Sequence, residues 1–410
     1  MTEQDNKATP TTTPQRPTAN DPVAWKIYWE AMGQLRRTEP EISMERQQFL
    51  KERLSIIPDL KHGIYPFTGI KLNRADVEWL IAIHDGEHLE HNLTERARGL
   101  DFRGADLSYV DLQRLPLTRL QGGVRGDEWM SSTTEEREAA AIHLEGANLS
   151  RTNLTRAQLR CGHLEGADLS TARLEGTVLR HAYVNGAQFR LASFSNSTRL
   201  DEALLGDKTG YASFIDVNWN AANLTAIEWS ELKMTGNEQI ARQCYTSDGK
   251  KKNRVTRIYE YSEALRANRQ LATILQSQGL NEDASRFAYR AQLCQRIVLR
   301  LKKKFGQYFF SGFLDLLAGY GYRPGRSVFW YLAVIFGFAL AYFAIGHLPI
   351  FPDAFVFSLT SFHGRGFFPG LSGENSLHNP VIVAAACEAV IGLFIEISFI
   401  ATFTQRFFGR

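Results

Sequence analysis

The sequence predicts a multidomain chain: a solenoid of five-residue repeats with a helical cap, then a helical hairpin, then an α-helical domain with two membrane spans. Three observations carry that prediction. An apolar residue returns at every fifth position through the middle of the 410 residues. Near the end, Ser327–Gly346 carries no charge at all, and Pro380–Thr404 is interrupted only by Glu388 and Glu396; each is long enough to span a hydrocarbon core as a helix. Between repeats and spans, two amphipathic segments are parted by Gly279, a residue that stops helices.

In chain order, residues 1–22 are rich in Thr and Pro and are expected to form a disordered tail without a secretory signal. Residues 23–96 form the cap, where Val23–Arg37, Ser43–Ser55 and Asn73–His84 show apolar residues at helical spacing and Asn73 suits an N-cap. Such a domain should close the open end of a solenoid. Overall charge says little about partners, with 47 Lys and Arg against 44 Asp and Glu. Cys161, Cys244, Cys294 and Cys387 lack metal-ligand or disulfide-like spacing and fit small apolar residues in a reduced compartment.

The repeats occupy residues 97–236. From Leu144, steps of five reach Leu149, Leu154, Leu159, Leu164, Leu169, Leu174, Leu179, Val184, Phe189 and Phe194. An earlier run holds Phe102, Leu107, Leu112 and Leu117; after a lapse at Arg199 and Thr209, the phase returns at Phe214, Trp219, Leu224 and Trp229. Small residues such as Ala105, Ala147, Ala157, Ala167, Ala187 and Ala222 stand two positions earlier. A period of five fits neither a 3.6-residue helix nor a two-residue strand. If each repeat turns the chain by a quarter, the apolar and small residues point inward and stack as ladders. The interval from Leu117 to Leu144 is not a multiple of five, so residues 121–141 must loop out, with a short helix at Thr133–Ala141.

Ala147-Asn-Leu-Ser-Arg151 and Ala167-Asp-Leu-Ser-Thr171 resemble the pentapeptide-repeat family, which implies a right-handed quadrilateral β-helix over about Leu100–Trp229. Some members of that family mimic duplex DNA and bind topoisomerases. Mimicry needs a strongly negative rod, whereas Arg98–Lys233 carries 15 basic and 18 acidic residues, so imitation of DNA is not expected, nor is nucleic acid as a partner.

Residues 250–305 hold the hairpin, Arg254–Gln278 and Asn281–Lys304, expected to be antiparallel and to couple repeats to spans. Lys302–Arg326 is basic and aromatic and suits a cytoplasmic headgroup layer, as an interfacial helix feeding into the first span, with residues 306–326 as an interfacial elbow. Gly319-Tyr-Gly321 copies the core of a potassium filter but precedes the first span, so it is read as part of that elbow.

Residues 327–410 form the two-span domain. Lys302, Lys303, Lys304, Arg323 and Arg326 precede the first span, Arg406 and Arg410 follow the second, and the loop between has only Arg365. By the positive-inside bias both termini face the cytoplasm, with the two spans among membrane lipids. Span, dipping loop and span resemble the two-transmembrane pore module of the potassium-channel superfamily and, more closely, the bacterial pentapeptide-repeat ion-channel family. The resemblance implies a homotetramer around a permeant inorganic ion, with Asp353–Ser361 as pore helix, Ser361–Phe367 as filter and Pro380–Phe403 as inner helix.

The filter segment Thr360, Ser361, Phe362, His363, Gly364, Arg365, Gly366 and Phe367 departs from the Thr-Val-Gly-Tyr-Gly pattern, because His363 and Arg365 bring bulk and positive charge. Arg365 lines the axis and favours anions, pairs with Glu388 and braces the filter, or stays in water on the outer vestibule. Carboxylates in a span are costly unless paired or wet, so Glu388 is assigned to the filter's rear and Glu396 to an aqueous cavity that concentrates cations. Gly392 is a hinge or a packing glycine. Phe399 and Phe403 are candidates for a hydrophobic gate. The absence of an arginine-periodic sensor leaves the cytoplasmic repeats, with an unknown regulator, to govern opening.

Enzymatic chemistry is not expected. His84-Asp-Gly-Glu-His88 has the wrong order for a metal-binding helix of the His-Glu-x-x-His kind, and no phosphate loop or nucleophile elbow occurs, so neither metal nor cofactor is expected. The rival to conduction is a membrane-tethered scaffold or sensor.

Overall fold

The computed structural model describes residues 15–18, 21–87, 99–345, 350–364 and 380–407. Most of the expected disordered tail lies outside the described residues, as does His88. The chain falls into two compact units, Met1–Lys250 with Thr273–Leu280, and Lys251–Ala272 with Asn281–Arg410.

The first unit opens with three helices. α1, Pro22–Ala31, is capped by the Asp21 carboxylate, which accepts from the Val23 amide, and buries Trp25 and Trp29. It stops short of the predicted Arg37 because Gly33 takes a left-handed conformation, φ 78°, that turns the chain away. α2, Met44–Leu54, starts at a Ser43 cap. α3, Arg74–Glu87, begins where Asn73 and Asp76 cap each other: Asn73 Oδ1 accepts from the Asp76 amide at 2.9 Å, and Asp76 Oδ2 from the Asn73 amide at 3.0 Å. Just before α3, Lys71 makes a parallel bridge to Asp106, and Arg74 donates to the carbonyls of Asp111 and Gln113. The cap is thereby hydrogen-bonded to the first repeats.

Among the described residues, the repeats contain isolated parallel bridges and no extended strand. His143 bridges His163, Asn148 bridges Asp168, Asn153 bridges Arg173 and Gln158 bridges Val178, the partners always standing four repeats apart. One turn therefore contains four five-residue repeats, one per side. The central apolar residues are enclosed, with Leu144, Leu149, Leu154, Leu159, Leu164 and Leu169 at 0 % exposure, and so are Ala147, Ala157 and Ala167. Burying such a Leu contributes about 1.5–3 kcal/mol, which is what lets a segment without strands hold together.

Where the looped-out segment intervenes, Asp106 bridges His143, far beyond the spacing of a single turn. The segment contains α4, Thr134–Ala139, with a reciprocal Thr133–Glu136 capping box. The lapse after Phe194 also has a physical cause. Val178 bridges Arg199 with one residue more than a regular turn, and Gln188 bridges Ser213 with five more. The chain gains the first residue before Arg199 and the other four at a tight turn where Gly206 bridges Tyr211. Leu200 and Leu205 keep the core filled meanwhile, at 3 % and 2 % exposure. Phe189 stacks on Phe214 and Phe194 on Trp219, and Trp229 closes the apolar column. α5, Gly236–Arg242, comes next.

α6, Arg254–Ser277, is divided between the units, its last residues and the next turn belonging to the first. In that turn Gln278 donates to the Ala222 carbonyl and accepts from the Leu224 amide.

In the second unit, Arg254 Nε reaches the Leu301 carbonyl at 2.6 Å and Arg269 donates to Gln295 Oε1, so α6 runs antiparallel to α7, Asn281–Leu301. Gly279, φ 80°, makes the reversal. α8, Phe305–Ala318, ends at left-handed Gly319, and a single 3₁₀ turn holds Gly319–Gly321. Then come α9, Pro324–Ile345, α10, Phe351–Phe362, and α11, Pro380–Phe407. α9 and α11 are long and apolar enough to cross a membrane. α10 packs against both through two clusters, Phe362 with Ile335 and Ile395, and Phe357 with Tyr342 and Ala385.

Candidate functional site

The short helix α10 has Pro352 in its first turn, where a missing amide costs nothing, and Asp353 beside its N-terminus, where a negative charge is favoured. Its inner face carries Ala354, Phe357, Ser358, Ser361 and Phe362, all buried. Thr360 turns its hydroxyl back on its own helix, donating to the Phe357 carbonyl at 2.9 Å.

Behind α10 stands Glu388, at 0 % exposure. Its Oε2 accepts from the Tyr342 hydroxyl at 2.8 Å, and its Oε1 contacts Ser358 Oγ, which also lies 2.9 Å from the Ile335 carbonyl. One carboxylate thus ties α9, α10 and α11 together. A buried carboxylate is tolerated only with such partners. Tyr342 and Ser358 were not candidates from the sequence, since a lone Tyr or Ser in an apolar stretch carries no spacing signal. The brace between Glu388 and Arg365 lies outside the described residues, as do Gly366 and Phe367.

Thr360, Ser361 and Phe362, read from the sequence as filter residues, form the last turn of a helix. Phe362 is 1 % exposed and meets the Tyr331 ring edge-on at 4.9 Å. Its bulk and apolarity fill the packing of α10 against Ile335 of α9 and Ile395 of α11. At His363 the helix ends, and Gly364 turns left-handed, φ 64°.

His363 Nδ1 lies 2.8 Å from the Leu359 carbonyl and so donates to it; Nε2 faces Glu396 Oε1 at 3.4 Å. Both side chains are about a third exposed and border a cavity of about 540 Å³ with Val328, Tyr331 and Phe399. Glu396 and Glu388 therefore separate as their offset around a helix requires, one to a cavity and one to the core. Phe399 stands 6.0 Å from Phe403, ring to ring. Gly392 packs against the backbone of α10, where an added Cβ would collide with the Phe362 carbonyl, a close approach of two helices.

A second polar node centres on Asp315 of α8. It accepts from Arg296 at 2.7 Å, Tyr289 at 3.0 Å and Arg326 at 2.9 Å, joining α7, α8 and α9. Burial raises the Tyr289 phenol above its ordinary value, and the bond to Asp315 adds to the rise. Arg323 covers the same ring at 4.3 Å. In the sequence Arg323 and Arg326 stand out only as positive charges flanking the first apolar helix, and nothing in its spacing marks Asp315, Arg296 or Tyr289.

Comparison with known proteins bears on the repeats. A family model described as pentapeptide repeats matches residues 141–176 and 163–196, in eight copies, so this segment consists of pentapeptide repeats. No curated protein matches the chain significantly. Among solved structures, HetL, a pentapeptide repeat protein involved in heterocyst differentiation regulation from the cyanobacterium Nostoc, is 24% identical over 37% of this chain and 54% of its own, with a TM-score of 0.19. The match thus spans about half of HetL. A pentapeptide repeat protein from the cyanobacterium Cyanothece is 26% identical over 30% of this chain and 82% of its own, TM-score 0.16. One from the Arabidopsis thaliana thylakoid lumen is 18% identical over 42% of this chain and 94% of its own, TM-score 0.15.

Proposed function

We propose that the chain is one subunit of a homotetrameric, cation-conducting channel in a bacterial inner membrane, opened or closed by its cytoplasmic repeats. In this reading the repeats form a right-handed quadrilateral β-helix, both termini are cytoplasmic, and no enzymatic activity is involved. Partners are other copies of the chain, lipids, the permeant ion and a cytoplasmic regulator, not nucleic acid.

The observation that carries the reading is a 12-residue helix held between two apolar helices, with Glu388 bonded to it from behind. A tether needs no helix between its spans. Membrane placement has separate support: only 17% and 28% of the apolar windows of α9 and α11 are enclosed by the chain, and Phe329, Phe336, Leu340, Val390, Phe394 and Ile400 are exposed. A soluble core helix would be enclosed. Four copies are required because one subunit supplies one wall of a central pore. His363 then approaches the axis with Glu396 beside it, a carboxylate ring that concentrates cations.

Purified protein in planar bilayers tests this, with reversal potentials measured in potassium, sodium and chloride gradients. Cation-selective current that falls in Glu396→Gln supports the reading. Chloride-selective current would place Arg365 on the axis of an anion pore. Absence of current together with a monomeric mass would replace the channel by a membrane-tethered scaffold.

A further inference from the structure

Register in the repeats brings together side chains that are far apart in sequence. His143 and His163 occupy equivalent positions one turn apart, their rings parallel within 2° and 4.8 Å between centroids, and Tyr183 continues the stack. Two positions further along each repeat, Glu145 lies 2.9 Å from His143 Nδ1 and Glu165 lies 3.3 Å from His163 Nδ1. From the looped-out segment, α4 contributes Glu138, whose Oε1 is 3.2 Å from His163 Nε2. Ligand atoms of His143, Glu145 and His163 all lie within 4.8 Å of one another.

Charge is unbalanced at this cluster. Three carboxylates surround two imidazoles, and Glu145 Oε2 and Glu165 Oε2 are buried without a hydrogen-bond partner. Arg137 and Lys71 are engaged with other groups: Arg137 donates to Ser132 and Trp129, and Lys71 to Asp106. Unpartnered buried oxygens cost free energy that a cation would relieve.

We propose that His143, His163 and Glu145, with Glu138 as a fourth ligand, bind one first-row divalent transition metal ion of the zinc type. Two imidazole nitrogens beside carboxylate oxygen favour such an ion over calcium or magnesium, which prefer all-oxygen shells. Around a tetrahedral zinc with bonds of about 2.0–2.2 Å the donor atoms stand about 3.3–3.6 Å apart, so each His–Glu pair would part slightly and the atoms now up to 4.8 Å apart would draw in, adjustments within reach of side-chain rotation. Glu165 serves as the hydrogen-bond partner that orients His163 from behind. Binding through Glu138 would tie α4 to the repeats.

The test is calorimetric titration of ZnCl₂ into the full chain, purified in detergent and stripped with chelator. One zinc per chain is expected, with affinity at least about tenfold weaker in Glu145→Gln and no binding in His143→Phe/His163→Phe, which keeps the stacked rings. Circular dichroism identical to the parent establishes that the double variant is folded. Loaded in place of zinc, Co²⁺ should show the absorption of a tetrahedral site in the parent and lose it in the double variant. Absence of binding in the parent, or binding unchanged in both variants, overturns the proposal; the latter would place the metal elsewhere, as at His84.

Discussion

Tyr342 of α9 donates its hydroxyl to Glu388 of α11 over 2.8 Å, at a point where both residues are fully buried. The bond crosses between the two apolar helices at the level of Ser358 on α10, so the three helices share one polar contact in an otherwise apolar packing.

Removing that donor leaves a buried carboxylate oxygen unpaired. Tyr342→Phe should lower the stability of the helical unit by about 1–3 kcal/mol, and Glu388→Gln, which keeps the shape and can still hydrogen-bond, should cost less than Glu388→Ala. Thermal unfolding in detergent, followed by far-ultraviolet circular dichroism, checks the order. Equal melting of Glu388→Gln and Glu388→Ala would show that the carboxylate's partners contribute nothing.

Gly392 separates hinge from packing. A methyl group there meets the backbone of Phe362, which cannot give way as a side chain could, so Gly392→Ala should cost about 1–3 kcal/mol and shift α10. Gly337→Ala on α9 meets open space and should be silent or slightly stabilising. Comparing the two melting temperatures decides the matter, since a pure hinge would tolerate both substitutions in a folded state.

The Asp315 carboxylate accepts from Arg296, Tyr289 and Arg326. Asp315→Asn keeps the side chain's size but removes the charge, and should loosen α7 from the start of α9 by about 1.5–3 kcal/mol. Hydrogen exchange should accelerate in residues 289–300 and 323–330 while the repeats are unaffected. Unchanged exchange in both stretches would mean that apolar contacts alone hold the junction.

His181 lies flat on the Trp129 indole at 4.8 Å, and burial holds its imidazole below the ordinary value although Glu202 stands 3.2 Å away. Arg180 and Arg137 lower it further, and Asp201 opposes them. The unfolded chain therefore takes up the proton first as pH falls. This contribution is complete above the ordinary imidazole value of about 6.5 and is lost as pH drops through it toward the folded value. Urea unfolding of the parent and of His181→Phe, at about pH 7.5 and about pH 5.5, should show a smaller loss on acidification in the variant. An equal loss would remove His181 from the pH response.

Much of this was legible because repeats announce themselves. A period of five combined with four repeats per turn places His143 over His163, so the cluster could have been found by stepping one full turn along the sequence. The one-residue and four-residue insertions after Phe194 could not, because only their sum restores the phase and each alone looks like a lapse. The apolar helices were legible from length and the absence of charge. The end of α10 was not, because Thr360-Ser-Phe362 has no helix-stop residue before Gly364, and side-chain packing of Phe362 carried the helix one residue past the expected Ser361.

By itself the sequence determined which residues shun water: the ladder of Leu, Phe and Ala inside the repeats, and the two long apolar helices, since hydrophobicity depends on composition and period alone. Tertiary structure decided how polar groups are shared, giving Glu388 to Tyr342 and Ser358, Glu396 to the neighbourhood of His363, and Asp315 to two arginines and a tyrosine. Hydrogen bonds and ion pairs are directional and short-ranged, so their partners depend on which helices meet and at what height, and one residue's identity does not specify that.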